Sequence, residues 1–504
     1  MQKHDPSHTI VLEDKGSFRE SYWRCKECGI SLSRNPKEGL GYRRCDCAPK
    51  KGKRGILLED NRVYYSHSIT LVEVAPAVLD RWQDHPKYAD LLLGSVLNIP
   101  SFEPSHLQDL STFRTTADDL SPALLAMVNA LVKKGMDRSE AEQLARESNI
   151  EAGANAWTSY DQDLRQLRPK LPSIDWVNHR QTVEYVFVRD EPSIGAITLD
   201  RLAAESREGG DAQNAERILS DTQIAAELGL VDLRIIQALP TVLAGVGYSR
   251  YSVVPREKAE GDDSDRGADL RPYSDTKGRI PIFVARNTTE ALSYRLDPWR
   301  VAAFLKVNAG VSVPTVALSS EQELRAWLMV ATPSLGDRGE SHLVLKRFEV
   351  EAGLGVDLPS ALVFGVLHSV SHVLKGTAHR FVGLDGDSLA EYLFPAHVSG
   401  LLYASRFVDF TLGGIDAAVK SNLRQWLGSA RDFAGQCSFD PVCSKSGGAC
   451  LACMFPKFGC AYFNRTVSRA FLFGGKVNGF AGRMEGYWSR AIADETIDLR
   501  RSLK

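Results

Sequence analysis

The placement of the cysteines constrains this chain more than any other feature. There are nine, and none lies between Cys47 and Cys437. Four form an N-terminal group, Cys25, Cys28, Cys45 and Cys47, and five a C-terminal group, Cys437, Cys443, Cys450, Cys453 and Cys460. The opening residues 1–8 are polar and lack the apolar core of a signal peptide, so a cytoplasmic location is expected. Clustered cysteine pairs in a reducing compartment point to metal ions rather than disulfides. The chain is therefore expected to carry a metal-pinned segment at each end.

A chain of 504 residues exceeds what one ordinary hydrophobic core holds, so several domains are expected. Hydrophobic residues make up 43% and charged residues 25%, which excludes a mostly disordered or fibrous protein. Lys plus Arg is 61 against Asp plus Glu at 63, so any nucleic-acid surface must be local. The longest apolar stretch, 361–374, is interrupted by His368, Ser369, Ser371 and His372. It is shorter than the roughly 20 residues of a membrane span, and no membrane association is expected.

The expected fold class is α+β and multidomain. Residues 1–75 read as a zinc-ribbon-like module and 76–240 as a mainly helical region, with a C-terminal domain over 241–504. Segment 55–65 predicts two short strands around Asp60-Asn61, and 280–285 a further strand with Pro281 at an edge. A helix is predicted over 359–379, because Phe364, Leu367, Val370 and Leu374 recur at helical spacing. Segment 398–411 reads as a strand and turn, and 416–429 as a helix. Residues 257–267 are charged and poor in apolar side chains, as in a disordered loop.

The C-terminal cysteines read Cys443-x6-Cys450-x2-Cys453-x6-Cys460. Thiolates at x2 spacing share one tetrahedral zinc, and an outer pair closes it. Four thiolates leave no position for water, so such a zinc is structural. Cys437 is then the spare, with an alternative set in which it replaces Cys443. At the N-terminus, Cys25-x2-Cys28-Gly29 and Cys45-x-Cys47 predict a second structural zinc, His4 or His8 substituting if one of the last two thiols falls short. Beside this group lies a basic run, Arg43, Arg44, Lys50, Lys51, Lys53 and Arg54, which suits a phosphate backbone and marks a candidate DNA contact.

His368 and His372 stand at i and i+4, on one face of the predicted helix. A zinc protease of this spacing needs a glutamate at 369, where this chain has Ser369. The two histidines are expected to be packed, hydrogen-bonded core residues. His85-Pro-Lys87 matches half of a phospholipase D signature, but Leu92 stands where the aspartate belongs. No Gly-x4-Gly-Lys-Ser/Thr phosphate loop occurs, nor a Gly-x-Ser-x-Gly elbow or a dinucleotide fingerprint. A nucleotide-driven motor is not expected, and no catalytic residue stands out.

The block Cys437-Ser-Phe-Asp-Pro-Val-Cys443, continued by Gly-Gly-Ala-Cys-Leu-Ala-Cys453 and Cys460-Ala-Tyr-Phe-Asn-Arg465, resembles the DrmB proteins of bacterial DISARM anti-phage systems. It is also similar to the C-terminal domain of MrfA-type helicases. Gly247-Tyr-Ser-Arg250, Leu367-His-Ser-Val-Ser-His372, Ser388-Leu-Ala-Glu-Tyr392 and Thr411-Leu-Gly-Gly414 agree with the resemblance, which spans roughly 240–475. The chain departs from it at Ser468-Arg469, where the family continues with an Asp-Arg pair, and at the N-terminus, where a cysteine module replaces the usual start. The resemblance implies a non-motor partner of a superfamily 2 helicase that engages DNA in phage defence, with the four-cysteine site carried over and no catalytic residue. The expectation is thus a zinc-binding accessory subunit and not an enzyme. The competing expectation is a stand-alone nuclease with a scattered acidic site.

Overall fold

In the computed structural model the described residues are 10–13, 22–25, 31–32, 42–44, 52–54, 64–83, 88–102, 122–144, 163–167, 180–250, 269–273, 279, 281–336, 357–405, 413–445, 447–456, 459–460, 462, 464, 466–477, 480 and 482–502. The chain divides into two compact units. One comprises Met1–Ser66 and Tyr248–Arg271, the other His67–Gly247 and Pro272–Lys504. The boundary expected at 240/241 falls inside a continuous strand, Leu230–Arg250.

In the smaller unit, β1 (Ile10–Glu13), β2 (Tyr22–Cys25) and β3 (Ser31–Leu32) form a three-stranded antiparallel sheet in that order. Strands β4 (Tyr42–Arg44) and β5 (Gly52–Arg54) form an antiparallel pair, with Arg43 opposite Lys53. Cys25 is the last residue of β2. Cys28, Cys45 and Cys47 lie outside the described residues, as do Lys50 and Lys51, so the N-terminal ligand set is not described.

The larger unit is built on a sheet in the order β11-β12-β10-β8-β6. Its strands are β6 (Tyr64–Val72), β8 (Leu230–Arg250), β10 (Phe283–Leu296), β11 (Leu389–Phe394) and β12 (Ser399–Ala404). A shorter strand, β7 (Ala196–Thr198), also pairs with β8, and β9 (Asp269–Pro272) falls almost wholly in the smaller unit. The start of β8 lies within the stretch read as mainly helical. Its run of β-branched and aliphatic residues fits a pleated, buried surface, and its antiparallel pairing with β10 is long.

Across β11, β12 and the second half of β10 the sheet is buried on both faces, and the alternation along β11 and β12 shows how. On β11, Leu389 and Leu393 join one core, whereas Ala390, Tyr392 and Phe394 join the other. On β12, Leu402 belongs to the first and Leu401 and Tyr403 to the second. This is the period of two that a pleated strand imposes. The second core includes α1 (Tyr88–Leu97) and α2 (Arg180–Asp190). The first includes α3 (Leu199–Glu208), α4 (Ala212–Glu227), α5 (Pro298–Ala309), α6 (Glu321–Ala331), α7 (Leu358–Val382), α8 (Gly414–Gly435) and α9 (Arg490–Arg501).

Helix α7 is the axis of the first core. It begins at Asp357, whose carboxylate accepts from the Ser360 N–H at 2.8 Å, with Pro359 in the first turn. It ends at Gly383 in the left-handed conformation, a common stop signal. Its length and composition would suffice to cross a membrane, but it is almost wholly buried among the protein's own elements, as the core helix of a folded domain. Helix α8 packs along it, and the Trp426 indole N–H donates to the Leu374 carbonyl at 3.0 Å.

Candidate metal centre

Just after α8 the chain enters the cysteine-rich segment. Asp440 organises its first turn. One carboxylate oxygen accepts from the Cys437 N–H at 3.0 Å; the other accepts from Ser444 N–H at 3.2 Å and from the Arg469 guanidinium at 2.6 Å. Cys443 follows on the short helix Val442–Lys445. The next turn folds back at Gly448, which has a φ of +75° and whose N–H donates to the Cys443 carbonyl at 2.8 Å. A side chain at Gly448 would meet Ser468 Oγ at 2.8 Å, so this close return needs glycine. The Cys453 and Phe455 N–H groups then both donate to the Cys450 carbonyl at 3.0 Å, closing the tight turn that x2 spacing requires.

These turns gather Cys437, Cys443, Cys450 and Cys453, whose sulfurs all lie within 4.8 Å of one another. The Sγ separations are 3.5 Å for Cys437–Cys450 and 3.7 Å for both Cys443–Cys453 and Cys450–Cys453. None of the four is in a disulfide. An ion with four sulfur bonds of about 2.3 Å in a tetrahedron sets those sulfurs about 3.8 Å apart. The donor set therefore fits a metal ion without rearrangement.

The protonation of these thiols agrees with that arrangement. Burial pushes the Cys443 thiol up to about 11 and the Cys453 thiol still further. Burial also works against the Cys450 thiolate, but the Ala452 N–H and the neighbouring thiols outweigh it and bring that thiol below its ordinary value. Four mutually crowded sulfurs resist sharing negative charge unless a cation sits among them, so metal uptake must displace protons.

The ligand set differs from the sequence-based one at a single position. Cys443, Cys450 and Cys453 come together as expected, but the fourth thiol is Cys437, not Cys460. Cys460 is held elsewhere, because Gly459 binds the chain to the sheet: the Glu391 N–H donates to the Gly459 carbonyl at 3.0 Å. Gly459 itself has a φ of +75°, and a Cβ there would meet the Leu389 carbonyl at 2.5 Å.

Cys460 Sγ lies 3.2 Å from His368 Nε2, and Asn464 N–H donates to it at 3.3 Å. His368 and His372 are buried on α7, one turn apart and facing β11. Their Nε2 atoms lie 3.0 and 3.1 Å from Glu391 Oε1. The histidines are thus packed and hydrogen-bonded, as their position on an apolar helix predicts. Their partners, however, are a carboxylate that the sequence reading gave no role and a thiol that it placed in the four-cysteine site. Burial raises the Cys460 thiol well above its ordinary range, and the adjacent Glu391 carboxylate adds to that. Burial also opposes the charge on Glu391, but the attraction of His372 and His368 prevails and holds it well below the usual carboxylate range.

Of the basic run, Arg43 and Arg44 lie in β4 and Lys53 and Arg54 in β5. Ser468 and Arg469, where the chain departs from the DrmB-like pattern, both brace the cysteine segment. Ser468 Oγ donates to the Gly447 carbonyl at 2.6 Å, and Arg469 pairs with Asp440. No known family matches this sequence, and no curated protein matches it.

Proposed function

We propose that this chain is a zinc-stabilised, non-motor accessory protein that docks on a superfamily 2 helicase and helps it engage DNA in anti-phage defence. The observation that carries the reading is the four-sulfur cluster. Three of its six separations, 3.5, 3.7 and 3.7 Å, are near the edge of a zinc–thiolate tetrahedron, and its four donors leave no vacant position for a reacting water. A centre of that kind shapes a surface and does not perform hydrolysis. The cysteine block that builds it is also the segment that resembles DrmB proteins.

The pairing of β4 with β5 supports the DNA half of the reading. It sets Arg43 opposite Lys53 in register. Cations that hold a phosphate backbone release its counterions.

The test is co-purification of the untagged helicase encoded beside this chain, followed by DNA binding of the complex across a salt series. The helicase is expected to co-purify. Reversing Lys50, Lys51, Lys53 and Arg54 to Glu is expected to weaken binding to all sequences alike, because phosphate contacts position without specifying. Each lost contact flattens the log–log salt slope by about 0.9 on duplex DNA. Loss of the helicase with DNA affinity intact would instead make the basic run a protein-docking surface. An intact helicase complex with an unchanged salt slope would remove DNA engagement by this segment.

A further inference from the structure

We propose that His368, His372, Glu391 and Cys460 form a second, buried metal centre that takes one divalent ion of the zinc class. The donor atoms Nε2, Nε2, Oε1 and Sγ all lie within 4.8 Å of one another. Zinc bonds of about 2.0–2.3 Å to nitrogen, oxygen and sulfur set tetrahedral donors roughly 3.3–3.7 Å apart. The three closest pairs here stand at 3.0, 3.1 and 3.2 Å, a few tenths short of that spacing.

The orientation of His372 suits a metal ligand. Its Nδ1 lies 2.8 Å from the Met454 carbonyl oxygen. A carbonyl only accepts, so Nδ1 carries the proton. In the neutral ring Nε2 presents a bare lone pair to Glu391 Oε1, acceptor against acceptor, which a second ring proton would relieve only by adding a buried cation. A cation between the two turns this repulsion into shared coordination. An imidazole that donates one N–H to a backbone carbonyl and offers its other nitrogen to an ion is the usual support of a metal ligand.

Charge and satisfaction point the same way. The side chains of His368, His372 and Glu391 are fully buried. Two neutral imidazoles, one carboxylate and one thiolate balance a divalent ion, leaving no net charge in a dry interior where an uncompensated charge is costly. Glu391 Oε2 is buried without a hydrogen-bond partner, so the carboxylate's contacts run through Oε1, on the side of the two histidines. The donor set of imidazole, thiolate and one carboxylate suits zinc rather than magnesium or calcium, which prefer oxygen alone.

The site is structural in this placement, since four protein donors, three of them fully buried, fill a tetrahedron and leave no open position for substrate. It ties α7 to strand β11 and to the segment leaving the four-cysteine cluster. The two centres share a backbone link: Cys453 is a donor in the first, and the carbonyl of the next residue, Met454, orients His372 of the second. The inference does not rest on the helicase reading, and either can fail alone.

The experiment is zinc-edge X-ray absorption and elemental analysis of the full-length chain. It uses a His4→Ala, His8→Ala background, so that no N-terminal imidazole contributes. The expected spectrum mixes sulfur with nitrogen and oxygen ligands and carries the outer-shell scattering of imidazole. Cys460→Ser, Glu391→Gln and His368→Ala should each remove about one equivalent of zinc and that imidazole signature. Cys450→Ser should remove a different equivalent and keep it. Sulfur-only scattering in the unsubstituted background would overturn the proposal even if every variant failed to fold. Unchanged zinc content in a folded Cys460→Ser protein would overturn it too.

Discussion

Cys437 and Cys460 flank the same Cys450–Cys453 turn, yet a serine at each should do different damage. Cys437 lies 3.5 Å from Cys450 in the four-sulfur cluster, so Cys437→Ser is expected to behave like Cys450→Ser, with loss of metal and of soluble protein. Structural zinc supplies folding energy directly. Full metal content in purified Cys437→Ser would mean the ligand set is wrong. Glycine makes a second residue-scale case. On α7, a Cβ at Gly365 would stand 2.3 Å from the ring of Phe471, which is fully buried. In an exposed helix Gly→Ala gains up to about 1 kcal/mol. Here overpacking should reverse the sign, and Gly365→Ala is expected to cost about 1–3 kcal/mol. Denaturant unfolding followed by tryptophan fluorescence would show it; a stabilised variant would mean that Phe471 gives way.

Between elements, a charged network joins α2, β8 and β10. Arg189 stands on α2, Asp232 and Arg234 on β8, and Arg295 on β10. Arg234 holds Asp232 at 2.8 Å, Arg189 at 3.8 Å and Arg295 at 4.0 Å. Burial tends to raise the Asp232 carboxyl, but the three guanidinium groups outweigh it and bring it from 3.8 to about 2. A carboxyl depressed in the folded state stabilises the fold above its unfolded value, and that stability is lost as pH falls through the folded one. The contribution is on the order of 2 kcal/mol at neutral pH and fades between about pH 4 and 2. Wild type should therefore exceed Asp232→Asn in stability at pH 7, with the gap closing toward pH 2.5. A gap that stays constant across that range would assign the effect to packing.

At the scale of the whole molecule, the described part of the cysteine segment is mostly turns with two four-residue helices, so its order is expected to depend on a bound metal. Removing zinc with a strong chelator is expected to open residues 437–473 to proteolysis well before the sheet. Over β11, β12 and the second half of β10 the sheet has both faces covered by apolar cores and draws its stability from them. Cleavage appearing first in the sheet would contradict that order. The chain alone is expected to show no ATP hydrolysis, because its sequence contains no phosphate-cradling loop. A DNA-stimulated turnover on the order of 1–10³ s⁻¹, as in typical enzymes, would refute the accessory reading.

Local signals were legible without coordinates. Helical spacing of Phe364, Leu367, Val370 and Leu374 foretold α7, observed over Leu358–Val382, because side-chain period is a property of neighbouring residues. The x2 spacing of Cys450 and Cys453 foretold their shared turn for the same reason. Contacts between distant segments were not legible. Cys437 and Cys460 lie 13 and 7 residues from the nearer cysteine of that turn, and either span can reach the cluster. The choice between them falls to Asp440, which folds Cys437 inward, and to Gly459, which ties Cys460 to β11. Glu391 lies 19 residues beyond His372, with no motif linking them. Strand alternation turns it toward α7 with Leu389 and Leu393, and only the pairing of β11 with β12 places that face against the helix. Segment 230–240 entered a strand rather than the expected helical region because its hydrogen bonds run to β10, more than 40 residues away. Pairing at that range is settled by which surfaces are buried together, a condition no window of neighbouring residues contains.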